Sequence, residues 1–305
     1  MNPKENKMAE FLTFSCEVKT AITENKPVLA LESTVITHGL PNPRNIEVAL
    51  QLEQTARTHG ALPATIAILN GKVKIGLSHD EIAQLASCKA GKASVRDLSY
   101  VIANKQSAGT TVALTAKLAS LVGIRVFATG GIGGVHYGDG FDVSADLFAM
   151  THSPIAIVSA GPKAILDIGR TIEILDSLSV PVIGFQTKFV PAFYSAESPF
   201  RIPYTIDSID ALVHYINIHQ QLQLKTSVMI MNPVPKQVEI PSHIITPVIQ
   251  QALITAQEKS ITGKEITPFL LAELNKLTNG GSVKTNIALL NNNVELGAKL
   301  ARKLS

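Results

Sequence analysis

The sequence predicts an α/β protein, layered α/β/α, with a mostly parallel sheet flanked by helices. Three observations predict it. Short aliphatic runs alternate along the chain with longer stretches of helical periodicity, rather than separating into strand-rich and helix-rich halves. Hydrophobic residues make up 46% of the 305 and charged ones 17%, which supplies a large core and is too apolar for disorder. Trp is absent and aromatics are only 5%, so the core must be aliphatic, as suits Val-, Ile- and Ala-rich parallel strands buried on both faces.

The elements follow in order. Strands are expected at residues 27–31, 64–69, 124–128, 155–159, 180–184 and 228–231, each a short aliphatic run bounded by Gly, Pro or polar residues, with a further short partner at 72–75. Helices are expected at 45–59, 80–86, 111–121, 164–178, 208–221, 247–259, 268–277 and 283–303, where apolar residues recur at helical spacing. Residues 188–204 hold several prolines and no periodicity, the composition of a lid or interface arm. With no repeat and no Pro/Ser-rich linker, the chain reads as one catalytic α/β domain over 1–305, in which 1–25 form an N-terminal helical extension.

Charge and cysteine narrow the class. A net charge of +3, with no run of Lys and Arg interleaved with aromatics, speaks against a nucleic-acid partner and leaves a phosphorylated small molecule open. Cys16 and Cys88, at no metal-type spacing, fit a reducing compartment. The first residues mix Lys with Glu without an apolar signal core, and no run is long and clean enough to span a bilayer. A soluble, cytoplasmic protein without a membrane partner is expected.

Several segments carry possible chemistry. In LALESTVITHGLP, Glu32 directly follows an apolar strand, where parallel sheets bind ligands, and Ser33, Thr34, Thr37 and His38 follow it. Its carboxyl suits an acid–base group, and equally a helix cap or ion-pair partner. His38 reads as a structural hydrogen bonder. In IAIVSAGPK a strand runs into Gly161, and Pro162 takes the place of a first helical residue. Lys163 then falls in the first helical turn, where the dipole disfavours a cation and favours the neutral amine of Schiff-base chemistry. A solvated lysine beside a turn fits the same local pattern.

ATGGIGGVHYGDGFDVSAD places Gly130, Gly131, Gly133 and Gly134 after a strand, allowing a close backbone approach to a ligand. His136 stands where a dinucleotide fingerprint needs its third glycine, and no phosphate-loop sequence of the Walker type occurs. Asp139, Asp142 and Asp146 are carboxylates suited to a hard cation such as Mg²⁺ or Mn²⁺, while Asp142 or Ser144 also fits a helix cap. KASVRD (from Lys92) and GTTV (with Thr111 and Val112) supply a cation, hydroxyls and helix-start amides able to hold a phosphate. Asn286, in GSVKTN, is a further hydrogen-bonding candidate.

Taken in order, ALESTVITHGLP, PATIAIL, FATGGIGGVH, FDVSADL, AGPKAILDIG, PVIGFQTK, GKEITPFLLAEL and SVKTNIALL closely resemble the pseudouridine-5′-phosphate glycosidase family. The resemblance implies reversible cleavage of the carbon–carbon glycosidic bond of pseudouridine 5′-phosphate to uracil and ribose 5-phosphate. It implies Lys163 as the lysine that bonds covalently to the sugar and Glu32 as proton donor. It also implies substrate contacts at Lys92, Thr111, Val112, Ser144, Ala145, Asp146 and Asn286. Asp142 would hold one Mn²⁺ per subunit, replaceable by another divalent cation, and the subunits would form a homotrimer. The chain departs from the family pattern in two places. HYGDGF from His136 is shorter than the H-R-G-x-E-x-x-F form, with Tyr137 in place of a basic residue and Asp139 as an additional carboxylate for the metal. Pro162 stands before the lysine where relatives carry a small residue. On the residues alone, a Schiff-base aldolase acting on a sugar phosphate and a non-catalytic nucleotide-binding protein remain as rival readings.

Overall fold

Burial of both sheet faces explains the aliphatic runs. The computed structural model describes residues 10–138, 141–261 and 266–305. Its strands are β1 (Leu12–Phe14), β2 (Val28–Leu31), β3 (Leu62–Leu69), β4 (Lys72–Ile75), β5 (Gly91–Ala93), β6 (Ala108–Thr110), β7 (Val126–Ala128), β8 (Val135–His136), β9 (Ala156–Ser159), β10 (Leu166–Asp167), β11 (Val182–Phe185), β12 (Tyr204–Ile206) and β13 (Val228–Met231). Between them lie helices α1 (Cys16–Thr23), α2 (Arg44–Thr58), α3 (His79–Ser87), α4 (Leu98–Ala103), α5 (Val112–Leu121), α6 (Ala145–Ala149), α7 (Ile168–Ser177), α8 (Ile209–Gln221), α9 (Ser242–Glu258), α10 (Ile266–Leu277) and α11 (Gly281–Leu304).

Among the described residues eleven strands form one sheet, ordered β1-β4-β3-β2-β7-β9-β13-β11-β12, with β6 also on β3 and β5 on β6. From β3 through β12 every neighbouring pair along this order is parallel. Antiparallel pairing enters where β4 and β6 meet the far half of β3. The fold is therefore the expected α/β class with a mostly parallel sheet.

Strand alternation splits the core into two layers. Leu29 and Leu31 face one side with Val126, Val158 and Ile230, against α2, α8, α9 and α11. Val28 and Ala30 face the other with Phe127, Ile157 and Met229, against α1, α5 and α7. The long helix α11 lies close on the sheet because Gly297 leaves room for Leu29: a Cβ there would come within 2.9 Å of Leu29 Cδ1. Among the described residues no helix is long and apolar enough to cross a membrane.

Three expectations change. The N-terminal segment contributes strand β1, parallel to β4, as well as a helix. The arm at 188–204 is partly packed into the protein: Val190, Phe193, Tyr194, Ser195 and Ile202 are buried, so part of it forms a wall of the core. Helix α7 starts at Ile168, not at residue 164, because Asp167 caps it by accepting the Arg170 N–H at 3.0 Å while Leu166 and Asp167 pair with β8.

Candidate active site

Neighbouring strands bring the candidate residues together. β2, β7 and β9 are adjacent and parallel, so the segments leaving their carboxyl ends, at Glu32, Thr129–Gly131 and Ala160–Lys163, converge at one edge of the sheet. Glu32 is 9% exposed, and its two carboxylate oxygens accept hydrogen bonds from the Thr34 and Thr129 hydroxyls. Both partners are hydroxyls, which can donate to a carboxylate or accept from a carboxylic acid. Either protonation state of Glu32 is therefore held in the same place. The turn after it, Val35–Gly39, is wound as a π-helix, a form that concentrates at functional sites.

Two adjoining cavities open at this edge. The first lobe, of about 570 Å³, is lined by apolar side chains including Val35, Phe193, Leu271 and Leu290, with His38 and Asn286 among them. The second, of about 1240 Å³, is polar and holds Ser94, Arg96, Thr111, His136, Asp142 and Ser144. Glu32, Thr34, Lys92 and Lys163 line both lobes and so form the neck between them.

Lys163 reaches the neck by a tight chain reversal. Gly161 has φ +84°, and a Cβ there would meet the Pro191 carbonyl oxygen at 2.3 Å, so only glycine fits. Pro162 bridges to Ile132, and the Lys163 N–H donates to the Ile132 carbonyl at 3.0 Å. A turn and strand β10 separate Lys163 from α7, so the expectation of a lysine in the first helical turn is corrected. The helix dipole, which acts within one turn of a terminus, does not act on Lys163.

In the second lobe helix starts supply the frame. Thr111 caps α5, accepting from the Leu114 N–H at 3.4 Å, and Val112 begins that helix. Ser144 caps α6, accepting from the Asp146 N–H at 3.2 Å, and Ala145 begins it. Asp146 is buried and clamps two segments: Oδ1 accepts the Ala113 N–H at 2.9 Å, and Oδ2 the Gly133 N–H at 2.8 Å. Bonds of this charged kind contribute about 1.5–3 kcal/mol each. They require Gly133, because a Cβ there would lie 2.2 Å from Ser144 Oγ. The glycine-rich run thus admits neighbouring side chains at least as much as a ligand.

The same lobe suits an anion. The Ser94 hydroxyl oxygen is buried and has no hydrogen-bond partner among the described residues, and the Lys92 and Arg96 side chains stand in the same wall. Burial pushes the His136 imidazole below its ordinary range, with Lys92 and Lys163 acting in the same direction and Asp142 opposing them. Its neutral form is therefore favoured.

Asp142 is exposed at this lobe, and its carbonyl accepts the His136 N–H at 3.0 Å. Among the described residues no three His, Cys, Asp or Glu side chains are grouped as a metal cage. The donors fit a hard cation that keeps most of its waters and takes a single protein carboxylate. Asp139, the additional carboxylate expected there, lies outside the described residues.

The ten residues to which the family resemblance assigns a role thus line one or both lobes: Glu32, Lys92 and Lys163 at the neck, Asn286 in the first, and Thr111, Val112, Asp142, Ser144, Ala145 and Asp146 in the second. Thr129, Phe193 and Asn293 were not singled out. Thr129 holds Glu32, Phe193 walls the first lobe, and Asn293 donates to the Thr129 carbonyl at 2.8 Å and to that of Gly130 at 3.3 Å. The one available signal was the run Asn291–Asn293, three consecutive poor helix formers inside an expected helix.

Fold and site together define an α/β protein with a two-lobed small-molecule cleft at the carboxyl ends of parallel strands, one lobe apolar and the other suited to an anion. A family model described as "Indigoidine synthase A like protein" matches residues 17–303. A pseudouridine-5′-phosphate glycosidase from Geobacillus kaustophilus is 50% identical over 301 residues, covering 98% of this chain and 100% of the relative. The chain belongs to this family, which includes the pseudouridine-5′-phosphate glycosidases. Two solved structures share the fold. An indigoidine synthase A-like protein from Thermotoga maritima superimposes with a TM-score of 0.89 at 37% identity, covering 96% of each chain. The prealnumycin C-glycosynthase AlnA in complex with ribulose 5-phosphate gives 0.89 at 33%, covering 96% of this chain and 97% of that one.

Proposed function

We propose that this chain is a pseudouridine-5′-phosphate glycosidase that cleaves the C1′–C5 bond reversibly, through a covalent bond between Lys163 and the ribose. The observation that carries the reading is the neck: Glu32 and Lys163 stand between an apolar lobe and a phosphate-suited one. A nucleotide laid across it puts its base in the first lobe, its phosphate in the second, and its sugar between acid and amine. The relatives' names and the sugar phosphate in the AlnA complex support the same substrate class.

The chemistry must overcome a carbon leaving group. Glu32 protonates the ribose ring oxygen as the ring opens, and Thr34 and Thr129 keep the carboxyl aligned throughout. The Lys163 amine adds at C1′. The C1′–C5 bond then breaks with its electron pair moving to C5, which takes up a proton, and uracil leaves a lysine–ribose iminium. Water adds to the iminium and releases ribose 5-phosphate, so one water is consumed per turnover. Covalent catalysis of this kind divides one hard step into easier ones. Lys92, Arg96, Ser94, Thr111 and Ser144 hold the phosphate end, and Asn286 offers its amide to the base.

Asp142 would hold a divalent manganese ion, which supplies positive charge to organise water and substrate oxygens near the phosphate or sugar. The subunits assemble as a cytoplasmic homotrimer in this reading. Exposed side chains such as Tyr100, Phe148 and Tyr204 leave apolar surface for assembly.

Incubation with pseudouridine 5′-phosphate and Mn²⁺ tests the reading. Free uracil should appear, and borohydride added during turnover should leave a ribose-phosphate adduct on Lys163. Absence of uracil would remove the glycosidase reading, and an adduct on another lysine would remove Lys163. Lys163→Ala should fold and show no turnover.

A further inference from the structure

Nine residues other than glycine have a positive φ among the described residues, and Phe193 is the one of them that lines a lobe of the cleft. Six of the others, Asn25, Lys105, Ser179, Gln223, Ser260 and Asn279, follow a helix end by two residues, where a left-handed residue closes the last turn. Asn70 lies in the tight turn between β3 and β4. Phe193, at φ +64°, closes no helix and joins no hairpin, and for so bulky a side chain this conformation is an outlier. It persists only where the surroundings hold it, and residues of this kind gather at functional sites.

The surroundings do hold it. The Phe193 N–H donates to the Ala160 carbonyl at 3.1 Å, and beside it the Ala192 N–H donates to the Ser195 carbonyl at 3.0 Å. The Tyr194 carbonyl accepts the Ile240 N–H at 2.8 Å, and the Tyr194 ring packs edge-to-face with that of Phe193, 4.9 Å between centroids. Gly131 completes the seat, because a Cβ there would lie 2.6 Å from the Phe193 ring. The ring is thus fixed between two segments that serve the neck. One leaves β7 through Thr129, which holds Glu32, and the other leaves β9 through Ala160 towards Lys163.

We propose that Phe193 is a specificity-determining residue for the base, the apolar wall against which the flat pyrimidine lies while its sugar is held at the neck. The inference rests on the glycosidase reading and adds a residue to it. Asn286, in the same lobe, can meet the polar edge of the base, whereas the phenyl ring has no hydrogen-bonding group and offers only aromatic surface. Phe193 does not line the second lobe, where the phosphate belongs. Loss of the ring should therefore weaken the hold on the base and spare the hold on the sugar phosphate.

The reverse reaction tests this, because base and sugar phosphate can be varied separately. At saturating ribose 5-phosphate, Phe193→Leu should raise the KM for uracil about tenfold. Ribose 5-phosphate alone, trapped on Lys163 by borohydride, should half-saturate the same variant within about twofold of its concentration for the unaltered enzyme. Phe193→Met, also apolar and without a ring, is a second variant with the same expected result. Val190→Ala alters a buried position of the same arm that lines neither lobe, and should lower the thermal midpoint while leaving the KM for uracil unchanged. An unchanged KM for uracil in the folded Phe193 variants would overturn the assignment. So would an equal rise in Val190→Ala, which would trace the effect to packing of the arm, or an equal loss of ribose 5-phosphate trapping, which would trace it to the neck. If the unaltered enzyme forms the adduct but joins no uracil to it, the glycosidase reading itself fails and the base contact falls with it.

Discussion

Asn293 supports the strand end that Thr129 uses to hold Glu32. The Asn293 amide donates to the Thr129 carbonyl at 2.8 Å and accepts from Asn232 Nδ2 at 2.9 Å, while the Thr129 hydroxyl donates to the Glu32 carboxylate. Asn293 is completely buried. A helix on one side of the sheet thus fixes the orientation of the acid through a single backbone segment.

Two substitutions separate support from contact. Asn293→Ala strands the Thr129 carbonyl and the Asn232 amide in the interior, at about 1–3 kcal/mol for each unsatisfied group, while the Gly130 carbonyl keeps the Ala160 N–H. It should lower both the thermal midpoint and kcat. Thr129→Val removes only the hydroxyl on Glu32, so it should cost less thermal stability than Asn293→Ala while kcat still falls. Equal thermal losses in both variants, with kcat unchanged in Thr129→Val, would reduce Thr129 to a packing role.

Asp142→Ala should raise the Mn²⁺ concentration needed for half-maximal activity, and should remove Mn²⁺ binding followed directly by electron paramagnetic resonance. Asp139→Ala should alter both less, because only Asp142 matches the metal position of the family pattern. Equal losses would make the shell a shared one.

The buried Glu53 of α2 makes stability depend on pH. It is 6% exposed, and its carboxylate accepts the Thr65 hydroxyl at 2.6 Å. Burial raises its pKa above the ordinary 4.5, and the Thr65 bond offsets this only in part. The folded protein therefore holds this proton more tightly than the unfolded chain. Its contribution is fully present below the ordinary pKa and is lost as pH rises through the raised one. Glu53→Gln keeps an acceptor for Thr65 and does not titrate. The stability of that variant relative to the unaltered protein should climb from acid pH and level off towards neutrality, as read from urea unfolding at a series of pH values. A difference independent of pH would mean that Glu53 titrates alike in both states.

The sheet was legible because its long aliphatic strands are self-evident runs, and the candidate site because Glu32 and Lys163 closely follow such runs while the aspartates cluster behind a glycine-rich segment. Most strands of two or three residues were not: β1, β5, β6, β8, β10 and β12 carry too few residues to show a period. The start of α7 was misread because Ala164, Ile165 and Leu166 are good helix formers, and pairing with β8 overrides that preference. Asp167 before Ile168 was the cap signal that would have corrected it. Helix α9 begins at Ser242 and carries Pro247 within it, although a proline more often opens a helix. Thr129, Phe193 and Asn293 come to the site from segments far apart in the chain, and no local pattern records such meetings.

Glu32 decides between an enzyme and a protein that only binds. Glu32→Gln keeps the size of the side chain. Its amide oxygen still accepts from one threonine, and its NH₂ donates to the other, whose hydroxyl rotates to accept. The substitution therefore preserves the local network and removes only the ability to give up and recover a proton. If Glu32 is the acid, the variant should bind pseudouridine 5′-phosphate and Mn²⁺ as the unaltered protein does, while turnover falls by about 10²–10⁴-fold. The thermal midpoint should change little, since no buried group is left without a partner. If Glu32 only ties β2 to β7 through Thr129, the variant keeps that tie and most activity should survive. Thermal unfolding and uracil release measured on one preparation separate these outcomes, and a stable, nearly fully active Glu32→Gln protein would end the acid–base assignment.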